Sequence, residues 1–152
     1  MKSSINEKWD IICKIMKEFD DTYHKIATYY NLSDSSFWIL YALYQKKEGC
    51  TQKELCTDWY ISKQTINSSI MYLQNKGYIS LKYEESNRKY KRVCITDKGL
   101  EIAKQTVGKV TQIEDKAFKN IDEKEMDIAI NFFKKQLKSL KDETAKEIKG
   151  DL

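Results

Sequence analysis

The stretch TQKELCTDWYISKQTINSSIMYLQNKGYI, Thr51–Ile79, decides the fold. It opens on T51-Q-K-E54, a capping box in which the threonine oxygen meets the backbone N–H three residues on and the glutamate reaches back. The box predicts a short helix running to about Trp59. A tight connection and a new cap at Ser62 then start a second helix, which ends at Gly77, a residue suited to the left-handed position beyond a helix C-terminus. Ile66, Ile70 and Leu73 recur at helical spacing and form its inward face. Its outward face is read as Gln64, Thr65, Asn67, Ser68 and Ser69, short neutral donors and acceptors, with Lys63 as its charge.

Beyond Gly77 the period changes from helical to alternating. Ile79, Leu81 and Tyr83 alternate, as do Val93 and Ile95, and E84-E-S-N-R88 lies between the two runs. The pattern predicts a two-stranded hairpin with a polar, flexible tip. Residues 82–92 carry five basic side chains. Residues 51–95 hold eight basic and four acidic residues, whereas the segments on either side are each balanced, so the whole net charge of +4 sits in this central region.

Long helices are expected on both flanks, because the 152 residues include no proline and only five glycines. Ile5, Trp9, Ile12, Met16, Phe19, Tyr23, Ile26 and Tyr30 follow alternating steps of four and three, a sustained apolar seam. Ser33 caps a second helix, in which Phe37, Leu40, Tyr41 and Tyr44 face one way and which Gly49 closes. Thr96 caps a fifth helix carrying Leu100, Ala103, Val107, Val110 and Ala117. A last helix carries Met126, Ile130, Phe133, Leu137 and Leu140, and the charged tail from Lys141 is expected to fray. The two terminal seams exceed what a small central lobe can cover, which points to a homodimer with Ile5, Trp9, Ile12, Phe133 and Leu137 in its interface.

The fold class is therefore mainly α with a small β-hairpin wing: a winged helix-turn-helix flanked by long dimerisation helices. Residues 1–152 are read as one domain, with 1–32 and 97–142 as dimerisation helices and 33–96 as the DNA-binding lobe. The chemistry suits double-stranded DNA. A helix fits the major groove, where Gln64 and Asn67 can each bond adenine bidentately and Thr65 and Ser68 can take either base type. The expected DNA-binding set is Lys53, Ser62, Lys63, Gln64, Thr65, Asn67 and Ser68 on the helices, with Arg88, Lys89 and Lys91 on the wing for phosphates or a minor groove. Tyr72 has two readings, stacking on a sugar or packing beside the wing. In a symmetric dimer the two recognition helices would sit about one DNA turn apart on a pseudo-palindromic operator.

T51-Q-K-E-L-C56, S62-K-Q-T-I-N67, L73-Q-N-K-G-Y-I79, N87-R88 and V93-C-I-T-D-K-G99 together resemble the multiple-antibiotic-resistance regulator (MarR) family over nearly the whole chain. The resemblance implies a homodimeric winged-helix transcription regulator, usually a repressor, released by a small, often aromatic effector or by an oxidant. It implies an effector site between the dimer base and the DNA-binding lobe, for which Tyr23, Trp38 and Tyr41 are the candidates. Cys13 lies in the first helix, where the hydroperoxide-sensing branch keeps its reactive thiol, so a redox-sensing repressor is one alternative. A winged-helix module for protein contact without specific DNA binding is another. The chain departs from the family where Ser68 stands in place of a frequent arginine, and where Asn87 rather than an aspartate precedes Arg88.

Other classes find no support in the residues. The longest apolar run, F37-W-I-L-Y-A-L43, is too short to span a bilayer, so no membrane partner is expected. The opening M1-K-S-S-I-N-E-K-W9 has no apolar signal region, which predicts a cytoplasmic protein. Four cysteines without a C-x-x-C pair and a single histidine, His24, give no metal-ligand spacing, so reduced thiols and no cofactor are expected. His24 is read as a surface or interface residue. No nucleophile–base pattern or phosphate loop suggests an enzyme.

Overall fold

A computed structural model describes residues 4–84 and 87–148, with backbone alone for residues 84 and 87–90. The elements in chain order are α1 (Ser4–Tyr29), α2 (Asp34–Gln45), β1 (Cys50–Thr51), α3 (Gln52–Trp59), α4 (Lys63–Asn75), β2 (Ile79–Glu84), β3 (Asn87–Ile95), α5 (Asp97–Gln105), α6 (Val107–Phe118) and α7 (Glu123–Glu147). They divide into two compact units, residues 1–111 and 112–152, and α6 crosses the boundary.

Caps start the helices where the sequence places them. Ser33 accepts from the Ser36 N–H, Ser62 from the Thr65 N–H, and Thr96 from the Gly99 N–H. At α3 the full capping box forms: Thr51 Oγ1 accepts from the Glu54 N–H at 3.2 Å, and Glu54 Oε2 accepts from the Thr51 N–H at 2.6 Å and from its hydroxyl at 2.8 Å. These two bonds from Thr51 hold the Glu54 carboxyl below the usual glutamate range. A carboxyl whose pKa is depressed on folding stabilises above its unfolded pKa, and that contribution is lost as pH falls through the folded value. Thr51→Ala is therefore expected to cost about 1 kcal/mol at neutral pH. The difference from the parent should narrow in acid, once Glu54 is protonated in both proteins. Denaturant melts at several pH values check both parts.

The core of the first unit is centred on α2, whose Phe37, Ile39, Leu40 and Leu43 are all essentially inaccessible. Leu55 of α3, Ile66 and Leu73 of α4, Val93 of β3, and Val107 and Val110 complete it. The inward face predicted for α4 is confirmed, with Ile66, Ile70 and Leu73 buried.

Several expectations are corrected. The sheet has three antiparallel strands in the order β1-β3-β2, not two, because Cys50 and Thr51 pair with Val93 and Arg92. A two-residue strand is too short to show alternation. The hairpin strands also reach further than the apolar alternation: Glu84 pairs with Asn87, and Arg88 lies within β3. Of the stretch read as a flexible tip, Glu85 and Ser86 lie outside the described residues. Gly49 does not close α2, which ends at Gln45 with Lys46 as its cap. Gly49 instead turns the chain into β1 at φ 83°, where a Cβ would sit 2.5 Å from the Val93 carbonyl oxygen.

The helix expected from Thr96 through Ala117 is two helices, α5 and α6, separated at Thr106. Thr106 is buried, its hydroxyl donates to the Ile102 carbonyl at 2.8 Å, and its ψ turns to −79°. The apolar rhythm runs on undisturbed across this break. The tail expected to fray is helical as far as Glu147. Ser69, read as outward, is buried.

Candidate nucleic-acid interface

The N-terminal half of α4 is presented by two local devices. Ser62 caps it, accepting from the Thr65 N–H at 3.1 Å and sharing a 2.8 Å hydrogen bond with the Thr65 hydroxyl. The turn from α3 depends on Tyr60, which takes the left-handed conformation at φ 51° although it is not glycine. That conformation is unfavourable for a side chain with a Cβ, and the short α3–α4 turn is made despite it.

Ser62, Lys63, Gln64, Thr65, Asn67 and Ser68 are all exposed, on the side of α4 opposite its buried residues. Lys53 is exposed on α3. The Ser68 hydroxyl donates to the Gln64 carbonyl at 3.1 Å. Ser69 hydrogen-bonds the Ser35 hydroxyl at 2.6 Å and so ties α4 to the start of α2. The two helices flank a cleft of about 600 Å³ lined by Ser33, Ser35, Gln64, Thr65, Ser68 and Tyr72.

On the wing, Lys82 and Lys91 are exposed, and the Lys91 ammonium lies 5.3 Å from the centre of the Tyr83 ring. The Arg88 and Lys89 side chains lie outside the described residues, although their backbone is part of β3. Arg92, counted among the five basic residues of the hairpin, is turned inward: its Nη2 donates to the Gly49 carbonyl at 2.9 Å and its Nε to the Glu48 carbonyl at 3.4 Å. It anchors the turn into β1.

Two residues of the interface were not read from the sequence in their observed roles. Gln52, the first residue of α3, sets its side-chain amide against that of Asn67. The Tyr72 hydroxyl donates to the Asn31 carbonyl at 3.4 Å, at the junction of α1 and α2, and Lys76 sits over its ring at 5.7 Å. The partners are 15 and 41 residues away, so no local pattern announces either contact.

The aromatic candidates for an effector site are brought together. Tyr23 packs on Trp38 with ring centres 5.1 Å apart, Trp38 stacks on Trp59 at 4.8 Å, and Tyr41 meets Trp38 and Trp59 at 5.5 and 5.7 Å. Trp59, from the end of α3, was not anticipated in this cluster. A separate cavity of about 240 Å³ lies among Tyr30, Leu32, Tyr72, Tyr78, Ile102 and Thr106. Cys13 is half-buried on α1. Cys50 is buried, and its burial pushes the thiol pKa up, which disfavours the reactive thiolate. His24 is on the surface of α1, 2.9 Å from the Asp34 carboxylate. Among the described residues no cluster of His, Cys, Asp or Glu could hold a metal ion, and no helix is long and apolar enough to cross a membrane.

Residues 30–89, which contain α2, α3, α4 and most of the wing, match the model of the MarR family. The winged helix of this chain is similar to that of the MarR family. No curated protein sequence matches the chain. Among solved structures, a MarR family regulator from Neisseria meningitidis superposes with a TM-score of 0.80 at 18% identity, covering 93% of this chain and 99% of that one. The S. aureus MepR–DNA complex gives 0.71 at 17% identity, covering 86% and 94%. Bordetella bronchiseptica BpsR, described with the mechanism by which 6-hydroxynicotinic acid regulates its DNA binding, gives 0.68 at 13% identity, covering 90% and 96%. At these identities the likeness is one of fold, and it covers the long helices that flank the matched segment.

Proposed function

We propose that the chain is a homodimeric, sequence-specific DNA-binding transcription regulator, a repressor that a small aromatic effector releases from its operator. The observation that carries this reading is the exposed N-terminal face of α4. Five adjacent side chains, Lys63, Gln64, Thr65, Asn67 and Ser68, are held outward on a helix whose other side is locked into the core. Neutral hydrogen-bonding groups on that face suit base edges, while lysines and the wing supply attraction to phosphate. The two kinds of contact are thus divided between elements. The fold shared with MepR, solved on DNA, and with BpsR, regulated by a small aromatic acid, supports the reading from outside the chain.

The apolar residues left on the long helices support the dimer. On α1, Ile5 is 77% exposed and Phe19 61% exposed, with Trp9 and Ile12 half-buried. Tyr23, Trp38 and Tyr41, half-buried against Trp59, offer ring faces to an aromatic effector.

The test is competition. An intergenic duplex adjacent to the gene should outcompete random duplex of equal length, and equal competition would defeat the proposal. Arg88→Ala is expected to weaken binding to every duplex alike. Gln64→Ala should instead cost about 1–3 kcal/mol of discrimination at one base position. Fluorescence anisotropy against a set of single-base operator variants separates the two outcomes.

A further inference from the structure

Resting on the reading of α4 as the helix that contacts base edges, we infer that Met71 is a specificity-determining residue that reads the methyl group of a thymine. Met71 is 64% exposed, although α4 buries Ile66, Ile70 and Leu73 on its other side. Steps of four, three and four carry Gln64, Ser68, Met71 and Asn75 along one line of the helix, opposite those buried residues. All four are exposed.

Met71 differs from its companions in chemistry. Gln64, Ser68 and Asn75 offer hydrogen-bonding groups, whereas Met71 offers an unbranched apolar chain with a polarisable sulfur. Such a chain gains free energy when it leaves water, and what covers it on this face is whatever α4 meets. Tyr72, its neighbour, already has partners within the protein, the Asn31 carbonyl and the Lys76 ammonium. In a major groove the base edges are donors and acceptors, and the thymine 5-methyl is the apolar group among them. A thymine gives Met71 an apolar surface to be buried against. A purine edge would lose hydration there without gaining a hydrogen bond.

Reach fits as well. Met71 lies seven residues beyond Gln64, roughly 10 Å further along the helix axis. The thymine it meets therefore belongs to a different base pair from the one Gln64 reads. The N-terminal residues of such a helix lie nearest the base edges, so a position in the third turn needs a longer side chain to reach them. Methionine, with three rotatable bonds, supplies that length where a serine like Ser68 could not.

The experiment changes one methyl group. An operator is selected by the wild-type protein from randomised duplexes, and each of its thymines is replaced singly by deoxyuridine, which keeps the base pair and lacks only the 5-methyl. Affinities are measured for wild type, Met71→Ala and Met71→Leu. Wild type should lose about fourfold at one thymine of the half-site, the worth of one buried methyl-sized group. In Met71→Ala, whose side chain is too short to reach, the loss at that thymine should vanish while losses at other thymines stay. Met71→Leu restores an apolar chain and should keep about twofold or more of it. Met71 is exposed, so the variants should match the parent in a denaturant melt.

The same uracil penalties in Met71→Ala as in wild type overturn this inference alone. A wild type that discriminates among duplexes yet loses nothing at any uracil also overturns it. A wild type with no sequence preference overturns the proposed function and this inference with it.

Discussion

Gly99→Ala is expected to lower the stability of the folded chain by about 3 kcal/mol or more. A Cβ at this position would lie 1.8 Å from the Tyr78 carbonyl oxygen and 3.0 Å from Ile95 Cγ1. The nearest neighbour is backbone rather than the end of a flexible side chain, so relief requires the start of α5 to move away from the wing. That movement would disturb a compact set of bonds. The Tyr78 carbonyl accepts from the Thr96 N–H at 3.0 Å, and the Thr96 hydroxyl donates to the Gly77 carbonyl at 2.7 Å while accepting from the Gly99 N–H. Lys98 Nζ adds a bond to the Lys76 carbonyl at 2.9 Å. Gly77 itself, at φ 75°, carries the turn out of α4, with its N–H on Gln74 and that of Tyr78 on Leu73. The end of α4, the root of the wing and the start of α5 thus meet at one glycine. A denaturant melt that moves its midpoint without changing its slope would match the expectation. A loss within about 0.5 kcal/mol, the range of an ordinary surface substitution, would contradict it.

On the homodimer reading proposed above, Phe133→Glu combined with Leu137→Glu is expected to give a monomer and to lower operator affinity roughly 10²–10⁴-fold. None of the described residues of α7 is buried, and Phe133, Leu137 and Leu140 are 40%, 50% and 54% exposed. Contiguous apolar surface of this kind is uncommon on a protein that works alone. Two carboxylates from each protomer would meet their symmetry mates in an apolar interface, where unpaired charges are costly. The DNA effect follows because a dimer binds its second half-site intramolecularly and a monomer does not. The helix should survive the change, since its start is held by the Asp122–Glu125 capping box and neither substituted residue is buried. Sedimentation and anisotropy on one preparation check both parts. A variant that stays dimeric and binds like the parent would place the interface elsewhere.

Much of the winged helix is legible in the chain because its signals are local. Thr51 and Glu54, Ser62 and Thr65, and Thr96 and Gly99 each satisfy one another across three residues, and a helix start needs nothing more distant. The inward face of α4 follows from spacing alone. Illegible features share a different cause. β1 exists only because β3 passes beside Cys50 and Thr51; neither residue shows a strand pattern. The break at Thr106 falls where the backbone ψ turns to −79°, while the apolar rhythm runs on intact. Ser69 looks like its exposed neighbour Ser68 until Ser35, 34 residues away, is brought against it.

The candidate interface divides along the same line. Exposure of Gln64, Asn67 and Ser68 could be read from α4 alone, because the buried positions of a helix leave a definite opposite face. The state in which those groups are offered could not. Gln52 lies against Asn67, Arg92 is withdrawn from the basic hairpin onto Glu48 and Gly49, and Tyr72 is drawn to Asn31. Covalent neighbours set periodicity and caps, and these act within one turn of chain. Which donor meets which acceptor across tens of residues depends on packing that brings distant segments into contact, and that packing determines which groups α4 and the wing leave exposed.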